Sequence, residues 1–177
     1  VGCRAAFVDT EIAKAAAKIL STNTQFRLLD DEWCCGHTQF ATGQWQAAGE
    51  MVEHNLKAIE SSGAKMIVTS CAECYKTLKV DYPRILGKST SDMGYTVLHI
   101  TEYIDQWLKG GSYKFHKDVP MKVTYHDPCH LGRLSEPWFH WEGTHKKFGV
   151  LEPPKVYRRG DKGVYEPLKW EDDKIEF

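Results

Sequence analysis

Apolar positions along the chain follow two periods, and the switches between them mark the elements. Ile12, Ala15, Ala16 and Ile19 recur at helical spacing after Asp9, a residue suited to cap a helix. The run Gln25-Phe26-Arg27-Leu28-Leu29 predicts a short strand, and a turn carrying Trp33-Cys34-Cys35-Gly36 follows it. Trp45, Ala48, Val52, Leu56 and Ile59 step by 3, 4, 4 and 3 residues, which marks one buried stripe of a long helix. Gly63 stands where a left-handed cap ends such a helix. Ala64–Ser70 reads as a buried strand, and Cys71 opens a helix that Pro83 disturbs near its end. Tyr95–Ile100 predicts another strand, Thr101 caps a short helix, and Gly110-Gly111 stops it. Met121–Tyr125 predicts a last strand, leading into His126-Asp127-Pro128-Cys129-His130.

Short strands alternating with helices predict an α/β fold, a mostly parallel sheet with flanking helices. In such a sheet the cysteines fall at strand C-terminal ends. From Glu136 onward the character changes. Pro137, Pro153, Pro154 and Pro167 punctuate an irregular Pro/Trp-rich C-terminal extension with no clean period. The expected organisation is a cysteine-rich region over 1–135 and an extension over 136–177 that wraps its own domain or contacts a partner. Trp138, Trp141, Lys146-Lys147 and Arg158-Arg159 are the extension's candidate contact residues. The opening Val1-Gly2-Cys3, without Met, and the close on Lys174-Ile175-Glu176-Phe177 read as the ends of a piece of a longer polypeptide.

Composition narrows the function classes. The 177 residues are 42% hydrophobic and 27% charged, an ordinary globular balance. With 23 basic against 24 acidic residues the net charge is −1, which argues against nucleic acid or an anionic membrane as a partner. No apolar run is long enough to span a bilayer, and no signal peptide opens the chain. Six cysteines are too few for a disulfide scaffold, so their spacing carries the information.

Cys3 is followed by 30 residues, then Cys34-Cys35, then 35 more, then Cys71-x-x-Cys74. The strand–helix reading puts each group at the same kind of place, a strand's carboxyl end, so five thiols converge on one sheet edge. Helix N-termini at that edge favour thiolates. Buried thiols packed as small hydrophobes do not account for a doubled cysteine plus a CxxC. Structural zinc held by Cys34, His37, Cys71 and Cys74 leaves Cys3 and Cys35 unexplained. A thioredoxin-type CxxC ignores the Cys34-Cys35 pair. An iron–sulfur cluster uses thiolates as its characteristic ligands and accounts for the most residues.

The spacing C-x30-CC-x35-C-x2-C, with Gly36 after the pair, resembles the cysteine-rich CCG domain of heterodisulfide reductase catalytic subunits. So do Asp31-Glu32-Trp33-Cys34-Cys35-Gly36, Thr69-Ser70-Cys71-Ala72-Glu73-Cys74-Tyr75 and Tyr125-His126-Asp127-Pro128-Cys129-His130-Leu131-Gly132-Arg133. Within that family the chain most resembles the DsrK-type subunit of the sulfite-reduction-associated membrane complex. The resemblance implies a [4Fe–4S] cluster, noncubane in heterodisulfide reductase, on Cys3, Cys34, Cys35, Cys71 and Cys74. Cys129 resembles the first cysteine of a second such motif and is expected to line the first site. Cys34 and Cys35 are the implied catalytic positions, with His37, His126 and His130 the candidate proton carriers beside them. Lys76 and Arg133 are candidates to steer an anionic partner, against the ordinary reading of solvated charges.

The resemblance implies a heterodisulfide-reductase-like catalytic subunit acting on a disulfide or trisulfide of a thiol or a DsrC-like sulfur carrier. Its electrons would come from quinol through other subunits of a membrane-bound redox complex. Reducing conditions suit such thiols, which places the chain in the cytoplasm, peripherally attached to that complex. The competing function is an iron–sulfur electron-transfer subunit of a glycolate, lactate or glycerol-3-phosphate oxidising system.

Overall fold

Met66–Thr69, apolar and β-branched, forms strand β1 and pairs in parallel with β2, Thr96–His99. The register runs from Met66 opposite Thr96 to Thr69 opposite His99. In this computed structural model residues 1–136 are described throughout, together with the backbone of four short strands between 144 and 167. Parallel strands need a long crossover. Here it runs through helix α5 (Ala72–Lys76), a π-helical turn at Thr77–Asp81, helix α6 (Tyr82–Ile85) and a 3₁₀ turn at Thr90–Met93. Pro83 lies in the first turn of α6, where its missing N–H is tolerated, and the π turn lies immediately ahead of that helix. Helices α1 (Cys3–Phe7), α2 (Thr10–Ser21), α3 (His37–Ala41) and α4 (Trp45–Ser62) precede β1, and α7 (Ile100–Lys109) follows β2. The architecture is mixed α/β, a small parallel sheet flanked by helices.

The core forms where the sheet meets α4 and α5. Ile59, Tyr75, Tyr95 and Val97 are buried together, with Leu29, Leu56, Ile67, Leu78, Met93 and Leu131 packed on them. Gly63 closes α4 at φ 69°, the left-handed cap its position predicts.

Several elements differ from the sequence reading. Gln25–Leu29 and Met121–Tyr125 are not strands; neither finds a partner among the described residues, and Met121, Val123 and Tyr125 stay exposed. Cys3 begins α1 and Cys34-Cys35 follow an unpaired segment, so of the cysteine groups only Cys71 follows a paired strand. α2 turns Ala13, Ala16, Ala17 and Leu20 toward a cavity of about 440 Å³, one position round from the predicted stripe. Seven apolar residues between Ile12 and Leu20 make that stripe too broad to fix its centre. Trp45 lies outside the buried stripe of α4, 62% exposed at the helix's first position against Phe40. Asp9 holds the N-cap position of α2 without a side-chain cap bond. His99, not Thr101, caps α7, because its imidazole accepts from the Thr101 N–H while Glu102 returns to the His99 N–H.

Cα packing divides the chain into Val1–Glu136 and Pro137–Phe177. In the second unit Thr144–His145 (β3) pairs antiparallel with Leu151–Glu152 (β4), and Tyr157–Arg159 (β5) with Tyr165–Pro167 (β6). Trp138, Trp141, Lys146 and Lys147 lie outside the described residues, as do the side chains of Arg158 and Arg159; so the role read for the extension falls outside them too.

Candidate metal centre

Five of the six cysteines meet at one place, and the local backbone explains how. Gly36 takes a left-handed φ of 84° as the N-cap of α3, turning the chain sharply behind Cys34 and Cys35. Cys71 caps α5, and Cys74 lies one turn further along that helix. Gly2 brings the start of α1 so close that a Cβ there would stand 3.2 Å from Cys74 Sγ. Its N–H donates to Glu32 Oε1 at 2.7 Å, fastening the Cys3 turn to the segment before Cys34.

The sulfurs form a connected string. Cys3 Sγ lies 3.7 Å from Cys34 Sγ, Cys34 neighbours Cys35, and Cys74 hydrogen-bonds both Cys35 and Cys71. All are free thiols. Their proton affinities diverge with their surroundings. Hydrogen bonding from Cys74 pulls Cys71 down to about 6 against the cost of burial, helped by the N–H groups of Cys74 and Glu73 at the start of α5. Cys35 is lowered by the Cys74 hydrogen bond and the His37 N–H, which outweigh its burial. Burial pushes Cys34 up to about 11, and Cys74 is raised because it is the proton donor to two sulfurs. The string thus offers two thiolate-favouring positions set against thiols.

Asn55, buried at 4% exposure on α4, was not singled out in the sequence. Its Oδ1 accepts from Trp33 N–H at 3.0 Å, and its Nδ2 donates to Cys34 O and Tyr82 Oη, both at 3.0 Å. The signal was a polar residue on an otherwise apolar helical stripe, since a buried amide has a partner to hold. His54 beside it stacks on Trp33 at 3.9 Å and meets Asp31 O at 2.9 Å. Two consecutive residues of α4 therefore grip the approach to the doubled cysteine.

His37 opens α3 next to the pair. Its Nδ1 lies 3.4 Å from Thr77 Oγ1, its ring meets the His130 ring edge-on at 4.5 Å, and burial lowers its pKa. Cys129 is exposed, with its Sγ 3.4 Å from His130 Nδ1; it is not within hydrogen-bonding reach of the other five thiols. His126 and Arg133 are exposed. Lys76 is not a solvated or steering charge: it forms a bidentate pair with the buried Asp81 at 2.6 and 2.7 Å. Tyr75 is wholly buried, and its hydroxyl lies 3.1 Å from Glu102 Oε1 and 2.9 Å from Glu136 Oε1.

The donor set fits an iron–sulfur cluster. The sulfurs of a tetrahedral zinc site, with bonds of about 2.3 Å, would lie roughly 3.8 Å from one another. Among the described residues, the set whose donors all close within 4.8 Å is His37, Glu73 and His130, not the cysteines. A string of thiols wider than one ion suits a multi-iron group with thiolate ligands.

Comparison with known proteins agrees with this chemistry. Residues 1–79 match the family model for the CCG cysteine-rich domain. One subunit of the dihydromethanophenazine:CoB–CoM heterodisulfide reductase of Methanosarcina acetivorans is 37% identical over 159 residues, covering 87% of this chain and 35% of that protein. The EtfAB:quinone oxidoreductase of Syntrophomonas wolfei is 32% identical over 136 residues, 75% of this chain and 18% of that protein. One subunit of the anaerobic glycerol-3-phosphate dehydrogenase of Escherichia coli is 28% identical over 137 residues, 75% of this chain and 35% of that protein. The chain spans about a third of the length of the heterodisulfide reductase relatives it matches. No solved structure matches it.

Proposed function

We propose, from the match of residues 1–79 to the CCG cysteine-rich domain, that the chain belongs to the iron–sulfur catalytic subunit of a heterodisulfide-reductase-like complex. The observation that carries the proposal is the convergence of Cys3, Cys34, Cys35, Cys71 and Cys74 from three separate stretches of sequence. In this reading these five residues would hold a [4Fe–4S] cluster, noncubane as the resemblance implies. When bound, the cluster supplies electrons singly to a disulfide whose reduction takes two electrons and two protons. Asn55 and Tyr82 keep the doubled cysteine in place, and the N–H groups of α3 and α5 favour thiolates at Cys35 and Cys71. His37, first residue after the Cys34-Cys35-Gly36 turn, brings a proton to the departing sulfur on its ring or through a water.

The substrate in this reading is a disulfide or trisulfide on a thiol or a DsrC-like carrier, in a DsrK-type subunit of dissimilatory sulfur metabolism. The chain works in the cytoplasm, attached through partner subunits to a quinol-linked membrane complex. No helix among the described residues is long and apolar enough to cross a membrane, which fits attachment through partners. The second reading is electron relay alone. It draws on the likeness to the EtfAB:quinone oxidoreductase and the glycerol-3-phosphate dehydrogenase subunit.

Anaerobic iron, sulfide and zinc analysis, with EPR of the oxidised protein before and after a thiol is added, separates the readings. About four irons with a signal that shifts on thiol addition is the outcome for a catalytic cluster. Iron without a thiol response favours relay, and zinc without sulfide overturns both.

A further inference from the structure

His37, Glu73 and His130 come from three elements, the first residue of α3, the first turn of α5 and the turn that follows Pro128. One donor atom from each lies within 4.8 Å of the other two. Both imidazoles have one nitrogen already engaged: His37 Nδ1 lies 3.4 Å from Thr77 Oγ1, and His130 Nδ1 lies 3.4 Å from Cys129 Sγ. Each ring therefore keeps one nitrogen free while a neighbour fixes its orientation, the usual condition of a histidine that ligates a metal. The rings stand at 86° to one another with centroids 4.5 Å apart, so they do not stack.

The three groups also fail to satisfy one another. Among the described residues the exposed carboxylate of Glu73 makes no hydrogen bond or ion pair with protein, and no hydrogen bond joins His37 to His130. A pair of histidines beside a carboxylate would ordinarily close on it. The His130 turn is fixed rather than adrift. Ser135 Oγ donates to the His130 carbonyl, Leu131 packs on the core, and Glu136 is held by Tyr75 Oη at 2.9 Å and Lys79 Nζ at 2.7 Å.

We infer that His37, Glu73 and His130 form a second metal site beside the thiols, a two-histidine, one-carboxylate seat for a divalent transition ion, with zinc as its probe. Imidazole and carboxylate oxygen suit Zn²⁺ at about 2.0–2.2 Å, which puts tetrahedral donors roughly 3.4 Å apart. Side-chain movements of about an ångström bring donors now within 4.8 Å to that spacing. Three protein ligands leave the fourth position open, the arrangement of zinc sites that bind water or substrate. A water there loses its proton near neutrality, and a thiolate there is stabilised as an anion. The site goes beyond the iron–sulfur reading, since none of its ligands is one of the five cysteines; with zinc in place the metal-bound water, not the His37 ring, is the proton source of the proposed reduction.

The test uses the full-length protein, purified anaerobically with its iron and titrated with zinc. Bound zinc and iron are counted per chain, and the zinc X-ray absorption edge is recorded. The expected result is one retained zinc with nitrogen and oxygen neighbours at about 2.0–2.1 Å and no sulfur at about 2.3 Å. His130→Ala and Glu73→Gln should each weaken zinc affinity at least tenfold with iron unchanged. If Glu73→Gln, next to Cys74, loses iron as well, His130→Ala decides. A sulfur shell around the zinc, wild-type affinity in both variants, or loss of iron in both overturns the site.

Discussion

The side-chain amide of Asn55 donates from 3.0 Å to the carbonyl oxygen of Cys34, tying the buried face of α4 to the doubled cysteine. The same amide accepts from Trp33 N–H and donates to Tyr82 Oη, so every polar atom of a buried group is used. Asn55→Leu keeps the volume and strands two backbone groups, a cost of about 1–3 kcal/mol for each buried unsatisfied group. Denaturant unfolding should show a loss of about 2–6 kcal/mol for the two groups together, and iron per chain should fall because the Cys34-Cys35 turn loses its tether. Asn55→Asp keeps the acceptor for Trp33 and loses both donors, so it should bind less iron than wild type. Full iron in both variants would remove Asn55 from the assembly of the centre.

Gly2 makes a different demand, on space and conformation together. Its φ is 84°, and an added Cβ would lie 3.2 Å from Cys74 Sγ. Gly2→Ala strains the backbone by about 1–3 kcal/mol and presses on a sulfur that must meet iron. Anaerobic reconstitution of the full-length variant should yield well under the wild-type iron. Thermal unfolding of the iron-free proteins should differ by only a few degrees. Equal iron uptake would mean that the α1 turn can move away from Cys74 without consequence.

His99 sets an acid limit on the fold. Burial lowers its pKa below the ordinary 6.5, with a hydrogen bond to the Ser70 carbonyl and the charge of Glu102 opposing that shift. Its Nδ1 accepts at the start of α7, an interaction open only to the neutral ring. The folded state thus disfavours the proton that the unfolded chain binds. The contribution is fully present above pH 6.5 and is lost as pH falls from there through the depressed folded value. His99→Asn, a capping residue that does not titrate, should flatten stability against pH below 6.5 in urea melts. An unchanged slope would assign the acid sensitivity elsewhere.

Tyr75 fastens the 128–136 turn to the sheet. Its hydroxyl meets Glu102 at 3.1 Å and Glu136 at 2.9 Å, and Lys79 donates to it. Tyr75→Phe leaves the ring in the core and breaks this three-way junction, costing about 1–3 kcal/mol. Hydrogen exchange of amides 129–136 should speed up more than that of β1 and β2. Uniform acceleration across both would mean that Tyr75 acts only through global stability.

How far the sequence could be read follows from which interactions are local. The long stripe of α4 and its glycine cap are dictated by residues close along the chain, so spacing located them, except at Trp45, where the helix begins beyond the core. Strands depend on partners. Met121–Tyr125 has a strand's alternation, yet alternation cannot say whether an edge is available to pair with it. His99 displaced Thr101 as the cap because imidazole caps are uncommon, and the Thr101 hydroxyl serves that imidazole at 2.7 Å. The five-cysteine string was legible because thiols are scarce and doubly spaced. Asn55, Glu73 and the Lys76–Asp81 pair were not, because polar residues on helices are usually solvated and only the fold turns these three toward the site.

Cys35 and Cys129 should separate cleanly, since the fold treats them differently. Cys35 is buried, receives the His37 N–H and shares a hydrogen bond with Cys74, which places it inside the string. Cys129 is exposed, and its near polar neighbour is His130. A ligand lost from inside a cluster removes iron or changes its electronic signature, whereas a thiol outside it does neither. Cys35→Ser should therefore alter the EPR of the oxidised protein and lower iron per chain, while Cys129→Ser keeps both. Cys129→Ala, which leaves no polar atom against His130 Nδ1, should lower zinc affinity several-fold with iron intact. Loss of iron in Cys129→Ser would instead draw the sixth thiol into the iron centre, and with it the turn that carries His130.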